Sequence, residues 1–291
     1  MTGEAAAERW IDETLHQAFR FRVKAERVLH EVDTEHQHLI IFENPTFGRM
    51  MMLDGIVQLT ERDEFIYHEM MAHVPLFALA EPADVLIVGG GDGGVLREVL
   101  EHRGVRHATL CEIDRSVIDL CTEYFPFVSK GAFDDPRAEI VIADGTKLVA
   151  DTDRRFDAVL IDSTDPIGPG KVLFTREFYR DCKRCLKPGG VLVTQSGLPF
   201  HQGWELRQCV EHFRTLFADA AAYLITTPAY VGGPMALGWA SDEEALRRIG
   251  TDVLAARLTA SDLEPRYYTP DVHRAAFALP GYVQALVGPG D

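Results

Sequence analysis

Five acidic side chains stand at positions where this sequence could carry chemistry. They are Asp92, Glu112, Asp144, Asp162 and Asp165, and the first four each follow a short apolar segment typical of a β-strand. Ligands of open parallel sheets bind beyond the carboxyl ends of the strands, so these acids are expected to meet in one crevice. Helix capping alone explains one or two of them. The set therefore predicts a site for a cation. Mg²⁺ is one alternative, but an organic polycation accounts better for Glu112.

Residues 85–112 predict how that crevice is built. Four apolar residues, 85–88, indicate a strand buried on both faces, and a glycine cluster at 89–94 separates it from a helical segment. Strand, glycine turn and helix form the first half of a nucleotide-binding βαβ unit, and Glu112 lies about 20 residues further on, where an acid can bind a ribose diol. Tight packing of helix on strand is the alternative explanation for the glycines.

Asp92 inside the glycine turn restricts the ligand. The N-terminus of a helix favours anions, and a carboxylate placed there repels a pyrophosphate. It equally repels the carboxylate of S-adenosylmethionine. Together with Glu112, Asp92 therefore favours an adenosine-linked cation.

The composition is that of an ordinary globular protein, with 46% hydrophobic and 25% charged residues. The net charge of −16 disfavours nucleic acid and anionic membranes as partners and suits a cationic substrate, although surplus acid also aids solubility. Residues 1–9 do not resemble a signal peptide, and no segment approaches the roughly 18 apolar residues of a membrane span. Five scattered cysteines indicate a reducing cytoplasm, and the Cys182–Cys185 spacing is interpreted as structural.

The pattern of elements predicts an α/β fold in two parts. Residues 10–60 contain short β-type segments, with Asp54-Gly55 at a hairpin turn, and 63–80 predict a helix. From residue 84 onward strands and helices alternate, which predicts a doubly wound, Rossmann-like domain of the class I methyltransferase type. We expect a small N-terminal antiparallel β domain at 1–62 and the catalytic domain at 63–291. A fifth strand is expected at 191–195, and two late strands are expected near 223–227 and 234–240, the second interrupted by Pro234.

A second distinctive segment is residues 162–170, Asp-Ser-Thr-Asp-Pro-Ile-Gly-Pro-Gly. Its prolines and glycines predict a rigid, irregular loop over the site. With the glycine cluster, Glu112 and Asp144-Gly145, this loop resembles the signature of the polyamine aminopropyltransferases, the spermidine synthase family. The segments 54–69 and 266–280 match as well, and the resemblance covers roughly residues 10–282.

The resemblance implies transfer of an aminopropyl group from decarboxylated S-adenosylmethionine to putrescine, giving spermidine and 5′-methylthioadenosine. It implies a homodimer or homotetramer, no cofactor apart from this co-substrate, and no metal. The residues that it implies around the donor are Gln37, Gln58, His68, Asp92, Glu112, Asp144, Gly145 and Pro169. Those that it implies around the diamine are Tyr67, His68, Asp92, Asp162, Asp165 and Tyr230, with Asp162 as the catalytic proton acceptor, aided by Tyr67.

Two alternatives and three departures stay open. A methyltransferase acting on a small amine would use the same fold, although Asp92 argues against intact S-adenosylmethionine. A polyamine sensor without activity is the other alternative. The departures from the family pattern are Lys171-Val172, Ala229 and Pro234, which bear on acceptor preference. The far ammonium of the diamine is expected near Trp10 and Glu13.

Overall fold

The structure is a computed structural model, and it describes residues 9–166 and 168–288. Its N-terminal part consists of two antiparallel sheets, one of two strands and one of four strands in the order β3-β4-β5-β6. The predicted hairpin is present between β5 and β6. Asp54 and Gly55 have φ angles of 49° and 77°, the conformation that a two-residue turn needs. The strands are β1 (Arg9–Asp12), β2 (Arg22–Ala25), β3 (Arg27–Asp33), β4 (His38–Asn44), β5 (Gly48–Leu53) and β6 (Ile56–Thr60).

The remainder is built on a seven-stranded sheet in the order β12-β13-β11-β10-β7-β8-β9. Strands β7 to β11 run parallel, and β13 is antiparallel to both of its neighbours. The chain order reverses between β7 and β10, which makes that junction the topological switch point of a doubly wound sheet. The strands are β7 (Asp84–Gly89), β8 (His107–Glu112), β9 (Ala138–Ile142), β10 (Phe156–Asp162), β11 (Leu186–Gln195), β12 (Asp219–Ile225) and β13 (Met235–Ser241).

Helices cover both faces of this sheet. The predicted helix at 63–80 is α1, slightly shorter at both ends, whereas the three helices after residue 250 were not anticipated. The helices are α1 (Glu64–Ala78), α2 (Gly94–Glu101), α3 (Arg115–Tyr124), α4 (Pro126–Ser129), α5 (Gly145–Asp151), α6 (Arg176–Cys185), α7 (Gly203–Leu216), α8 (Thr251–Ser261), α9 (Pro270–Ala276) and α10 (Gly281–Val287). A 3₁₀ helix (Gly168–Phe174) follows the loop after β10.

Two details differ from the sequence-based expectation. Strand β11 begins at Leu186, before the expected start at residue 191, because Leu186 already pairs with Phe156 ahead of an irregularity in the register. Pro234 precedes β13 and does not interrupt it, so no hydrogen bond of the ladder is lost there.

The core lies on both sides of the large sheet. In β7, Val85 and Ile87 pack into one hydrophobic cluster and Leu86 and Val88 into another, as expected for a strand that is buried on both faces. Cys182 and Cys185 are free thiols buried in the second cluster, which fits their structural interpretation.

Candidate active site

One cavity of about 390 Å³ lies at the carboxyl ends of the central strands, where the N-terminal sheet meets the large sheet. It brings together, from distant parts of the sequence, most of the residues predicted for the site. The side chain of Pro169 lies outside the described part of the structure. The predicted residues that line the cavity are Gln37, Gln58, Tyr67, His68, Asp92, Glu112, Asp144, Gly145, Asp162, Asp165 and Tyr230.

Asp162 ends strand β10 and faces this cavity. Its Oδ1 accepts a hydrogen bond of 2.8 Å from the Tyr67 hydroxyl, while its buried Oδ2 has no hydrogen-bond partner among the described residues. Burial and the neighbouring Asp92 carboxylate raise the pKa of Asp162 to about 7, against the opposing influence of His68 and Tyr67. An acid with one free oxygen and this pKa is suited to accept a proton at neutral pH.

The first two glycines of the turn are required by Asp162 itself. Gly90 donates its N–H to the Asp162 carbonyl at 2.9 Å, and Gly89 and Gly90 have φ angles of 83° and 71°. A Cβ on Gly89 would lie 2.0 Å from that carbonyl oxygen, and one on Gly90 would lie 2.7 Å from Asp162 Oδ2. Glycine is needed here because the turn packs directly against Asp162, the candidate base. The same absence of a side chain keeps that base accessible to a ligand, so packing and ligand binding both favour glycine.

Asp92 has a charged partner that the sequence did not reveal. Its Oδ2 lies 3.3 Å from His68 Nε2, and its Oδ1 accepts the Gly94 N–H at 2.7 Å. On the other side of the ring, His68 Nδ1 lies 2.6 Å from Glu64 Oε2. Burial opposes protonation of the ring, but the carboxylates of Asp92 and Glu64 raise the pKa of His68 to about 10. Despite burial, the imidazolium in turn lowers the pKa of Asp92.

Glu112 ends strand β8 and is held by backbone N–H groups. Its carboxylate oxygens accept from Gly91 at 3.1 Å and from Asp114 at 2.9 Å, and burial raises its pKa. Asp114 caps α3 and also accepts from Gln37 Nε2 at 3.2 Å, which orients Gln37 at the cavity. Sequence analysis missed Asp114, whose only signal was its place directly before a helix.

Asp144 combines two roles. It is the N-cap of α5, since its Oδ1 accepts from the Thr146 N–H at 2.9 Å, and it also lines the cavity. The next residue, Gly145, has no room for a side chain, because a Cβ there would lie 2.5 Å from Val88 Cγ1. Helix capping therefore explains Asp144, and close packing explains Gly145. The part of the Asp144 carboxylate that faces the cavity is left for a ligand.

Two tyrosines stand close together at the other side of the cavity. The rings of Tyr67 and Tyr230 are edge to face with centroids 6.4 Å apart, and the Tyr230 hydroxyl donates to the Gln58 carbonyl at 2.7 Å. The backbone before Tyr230 is fixed by a 2.7 Å bond from the Ala229 N–H to Asp63 Oδ2. This bond uses only the backbone of Ala229, so the departure from the family pattern there does not disturb it.

A second pair of acids, Asp165 and Glu13, lines the cavity, with Glu13 buried and Asp165 partly buried. The Gln202 side-chain amide donates to Asp165, and Glu13 Oε1 accepts from the Val57 N–H at 3.0 Å. Burial raises the pKa of both carboxyls. Trp10, in contrast, is 48% exposed and is not among the lining residues. Gln202 was another residue that sequence analysis did not identify.

The cavity is strongly acidic. Among the described residues that line it there is no lysine or arginine, and Lys171 is not one of them. The ligand atoms of His68, Asp92 and Asp162 lie within 4.8 Å of one another, a spacing that a metal ion could also use. Both nitrogens of His68 already face carboxylates, however, so a metal would have to displace its proton. The arrangement is better suited to an organic cation.

Comparison with known proteins decides the family. Residues 64–248 match the model of the spermine/spermidine synthase domain, and residues 9–61 match that of the spermidine synthase tetramerisation domain. The chain belongs to the spermidine synthase family. It is 52% identical over 279 residues to polyamine aminopropyltransferase 1 of Pseudomonas aeruginosa, a match that covers 96% of this chain and 98% of the relative. A polyamine aminopropyltransferase of Ruegeria sp. is equally similar, with 52% identity and the same coverage.

Solved structures agree. A spermidine synthase crystallised with the transition-state analogue AdoDATO matches with a TM-score of 0.91 and 40% identity, over 96% of this chain and 94% of that one. The spermidine synthase of Thermotoga maritima matches with a TM-score of 0.88 and 38% identity over the same shares. The predicted family, fold class and enzyme class are thereby confirmed: the protein is a transferase, a polyamine aminopropyltransferase. Among the described residues, no helix combines the length and apolar character that crossing a membrane requires.

Proposed function

We propose that the enzyme transfers the aminopropyl group of decarboxylated S-adenosylmethionine to putrescine, giving spermidine and 5′-methylthioadenosine. The observation that carries this proposal is the position of Asp162. Its free, buried oxygen faces an acidic cavity beside a glycine turn that has its own carboxylate, Asp92. A base that shares its cavity with two further acids, Asp92 and Asp165, fits a reaction that joins two cationic substrates.

The donor would lie along the ends of β7, β8 and β9. In this arrangement Glu112 binds the ribose hydroxyls and Asp144 binds the adenine amine. Asp92 binds the ammonium that decarboxylation leaves at the end of the aminopropyl chain. Intact S-adenosylmethionine would instead bring its carboxylate towards Asp92. The remaining residues proposed around the donor are Gln37, Gln58, His68, Gly145 and Pro169.

The chemistry is a displacement at the carbon attached to the sulfonium. The amine nitrogen of putrescine forms the new C–N bond, the C–S bond breaks, and its electron pair stays on sulfur. An alkylamine has a pKa of about 10.4 and arrives protonated, so its proton must first pass to Asp162 Oδ2. Attraction between the ammonium and Asp162 opposes this step, whereas desolvation and repulsion by the sulfonium favour it. Because a sulfonium leaves without acid assistance, orientation of the two reactants supplies much of the acceleration.

The diamine would extend from Asp162 towards Asp165 and Glu13. Tyr67 and Tyr230 flank its aliphatic middle, and Asp165 and Glu13 bind the far ammonium. A fifth methylene gains about 0.8 kcal/mol if it is buried. It also displaces the far ammonium from its partners, and a lost charge-assisted hydrogen bond costs about 1.5–3 kcal/mol. We therefore expect putrescine to be preferred over cadaverine and spermidine to be a poor acceptor.

The decisive experiment is a matrix of co-substrates. Decarboxylated and intact S-adenosylmethionine are each combined with putrescine, cadaverine, agmatine and spermidine, and 5′-methylthioadenosine is quantified. We expect the highest kcat/KM for the decarboxylated donor with putrescine. Comparable methylation of putrescine by intact S-adenosylmethionine would favour the methyltransferase alternative, and absence of any turnover would favour the sensor. Equal use of cadaverine would mean that the acceptor end is longer than proposed.

The assembly and organisation of the chain complete the proposal. The match of residues 9–61 to a tetramerisation domain supports a homodimer or homotetramer. Light scattering that finds only a 32.5 kDa species at micromolar concentration would contradict it. We also propose a domain boundary between residues 62 and 63, a cytoplasmic location, and activity without a metal or a further cofactor. Retention of full turnover after exhaustive chelation is the expected result for the last of these.

A further inference from the structure

A row of buried charged side chains leads away from the cavity between helices α1 and α2. It starts with Asp92 and His68, whose facing atoms lie 3.3 Å apart, and continues through the 2.6 Å contact of His68 Nδ1 with Glu64. Arg97 then donates to Glu64 Oε2 from Nη2 at 3.1 Å. Glu64, His68 and Arg97 are buried, so each depends on its neighbours for electrostatic partners, whereas Asp92 is partly exposed at the cavity.

The row continues beyond Arg97. The guanidinium also pairs with Glu98, and Glu98 Oε2 lies 3.1 Å from His73 Nε2. His73 Nδ1 in turn lies 3.0 Å from His102 Nε2. Arg97 is further fixed by a hydrogen bond to the Val128 carbonyl. Arg97 is therefore held at several points and cannot readily follow a displaced Glu64.

Glu64 does not line the cavity, so it can act on a substrate only through another side chain. That side chain is His68, which has carboxylates on both ring nitrogens. The His68 ring also packs directly against Gly94, since a Cβ on Gly94 would lie 2.2 Å from ring atoms Cε1 and Nδ1. The ring therefore has little freedom to move in that direction. Without Glu64, the buried Nδ1 would have no hydrogen-bond acceptor among the residues that the structure describes. The ring would then lose the contact that holds it against the glycine turn.

We propose that Glu64 is a positioning residue for the transfer reaction, which holds the His68 ring against Asp92 and is itself held by Arg97. Two consequences follow for Asp92. Its carboxylate is fixed at the cavity edge, and the second negative charge, on Glu64, balances the imidazolium, so the turn keeps its attraction for the donor ammonium. This inference rests on the proposed function for its effect on catalysis, but not for its effect on His68.

The first test does not depend on any substrate. The ring resonances of isotopically labelled histidine are followed by NMR from pH 5 to 10, with His68 assigned by comparison with His68→Gln. In the native protein we expect His68 to stay doubly protonated beyond pH 8. A midpoint near the ordinary value of about 6.5 would overturn the proposal. In Glu64→Gln, the midpoint should fall by about one pH unit or more, because one of the two carboxylates in contact with the ring is gone, while Asp92 and the nearby Asp162 remain. An unchanged midpoint would overturn it as well.

The second test separates positioning from a general loss of structure. We expect Glu64→Gln to raise the KM for the donor about 10-fold or more, with a smaller effect on kcat, and Glu64→Asp to restore part of the loss. Glu98→Gln is the matched control, since it removes an equally buried carboxylate that also pairs with Arg97 but does not contact His68. Its donor KM should change by less than about 3-fold. An equal effect of the two Gln variants would overturn the proposal.

The outcomes also distinguish this inference from the proposed function. If the native enzyme does not use decarboxylated S-adenosylmethionine and putrescine, the proposed function fails, and the NMR titrations still test Glu64. If it does use them and His68 titrates independently of Glu64, only the present inference fails. If Glu64→Gln does not fold, as judged by circular dichroism, the titration of the native protein decides.

Discussion

Asp92 and Asp162 lie at the ends of two paired strands, within 4.8 Å of a common histidine, yet their surroundings are opposite. Asp92 has a cation on one oxygen and a backbone N–H on the other, and despite burial the imidazolium lowers its pKa. Asp162 has a tyrosine hydroxyl on one oxygen and no partner for the other within the described chain, and burial beside Asp92 raises its pKa to about 7.

The difference teaches how one acidic cavity can perform two tasks. A carboxylate that is already ionised and compensated is suited to binding a cation, because its charge does not change over the working pH range. A carboxyl that is buried and only partly hydrogen-bonded is suited to exchanging a proton, since its two forms have similar free energies near neutral pH. The residue type is the same in both cases and both acids lie at the carboxyl edge of the sheet, so their partners decide.

The largest effect is expected from removing the proton acceptor. Asp162→Asn keeps the shape of the side chain but cannot take up a proton, and kcat should fall on the order of 10²–10⁴-fold. Binding of the donor, measured by calorimetry, should change little, because the ribose and adenine partners are elsewhere. Near-normal turnover at pH 7 would show that Asp162 only binds the substrate.

A smaller effect is expected at the binding acid. Asp92→Asn removes the charge that faces the donor ammonium and also the partner of His68, and the kcat/KM for the donor should fall about 10- to 100-fold. Inhibition by intact S-adenosylmethionine should become stronger, since the repelling carboxylate is gone. If Asp92→Asn reduced kcat without affecting the donor KM, the contrast between the two acids would be wrong.

The hydrogen bond between Tyr67 and Asp162 offers a way to sharpen the comparison. Tyr67→Phe removes a donor that lowers the pKa of Asp162, so that pKa should rise and the acidic limb of the pH–rate profile should move to higher pH. At pH 7 a smaller fraction of Asp162 is then ionised, and kcat should fall about 10-fold. Tyr230→Phe is a suitable control, because its hydroxyl donates to the Gln58 carbonyl and not to Asp162. A profile of Tyr67→Phe that coincides with that of the native enzyme would contradict the assignment.

The smallest effect concerns stability. The pKa of Asp162 is raised in the folded state, so folding favours its protonated form, and this contribution is lost as the pH rises from about 4 to about 7. Asp162→Asn cannot ionise and should escape that loss. At pH 8 its Tm should exceed that of the native enzyme by about 2 °C or more, and at pH 4 the difference should shrink. Differential scanning calorimetry of both proteins at both pH values measures this. The prediction would be contradicted if the Tm of Asp162→Asn minus that of the native enzyme were smaller at pH 8 than at pH 4.

Local pattern was sufficient for the order and type of most elements. The apolar residues of β7, the Asp54-Gly55 turn and the helix at α1 follow from short-range rules of burial, turn geometry and periodicity. The position of the acids at strand ends also follows, because a doubly wound sheet brings those ends to one edge. Helix α8 was not predicted because its apolar residues do not gather on one face and only Leu254 is buried.

What the sequence by itself determined is thus the architecture, the set of acids that meet in the cavity and, through its motifs, the family. Only the tertiary structure decided how those acids differ. The partners of Asp92 and Asp162 come from helix α1, 24 and 95 residues away, and no local pattern links them. Burial and charge pairing across such distances set the pKa of each group, because desolvation and Coulomb energies depend on where side chains lie in space and not on their order along the chain.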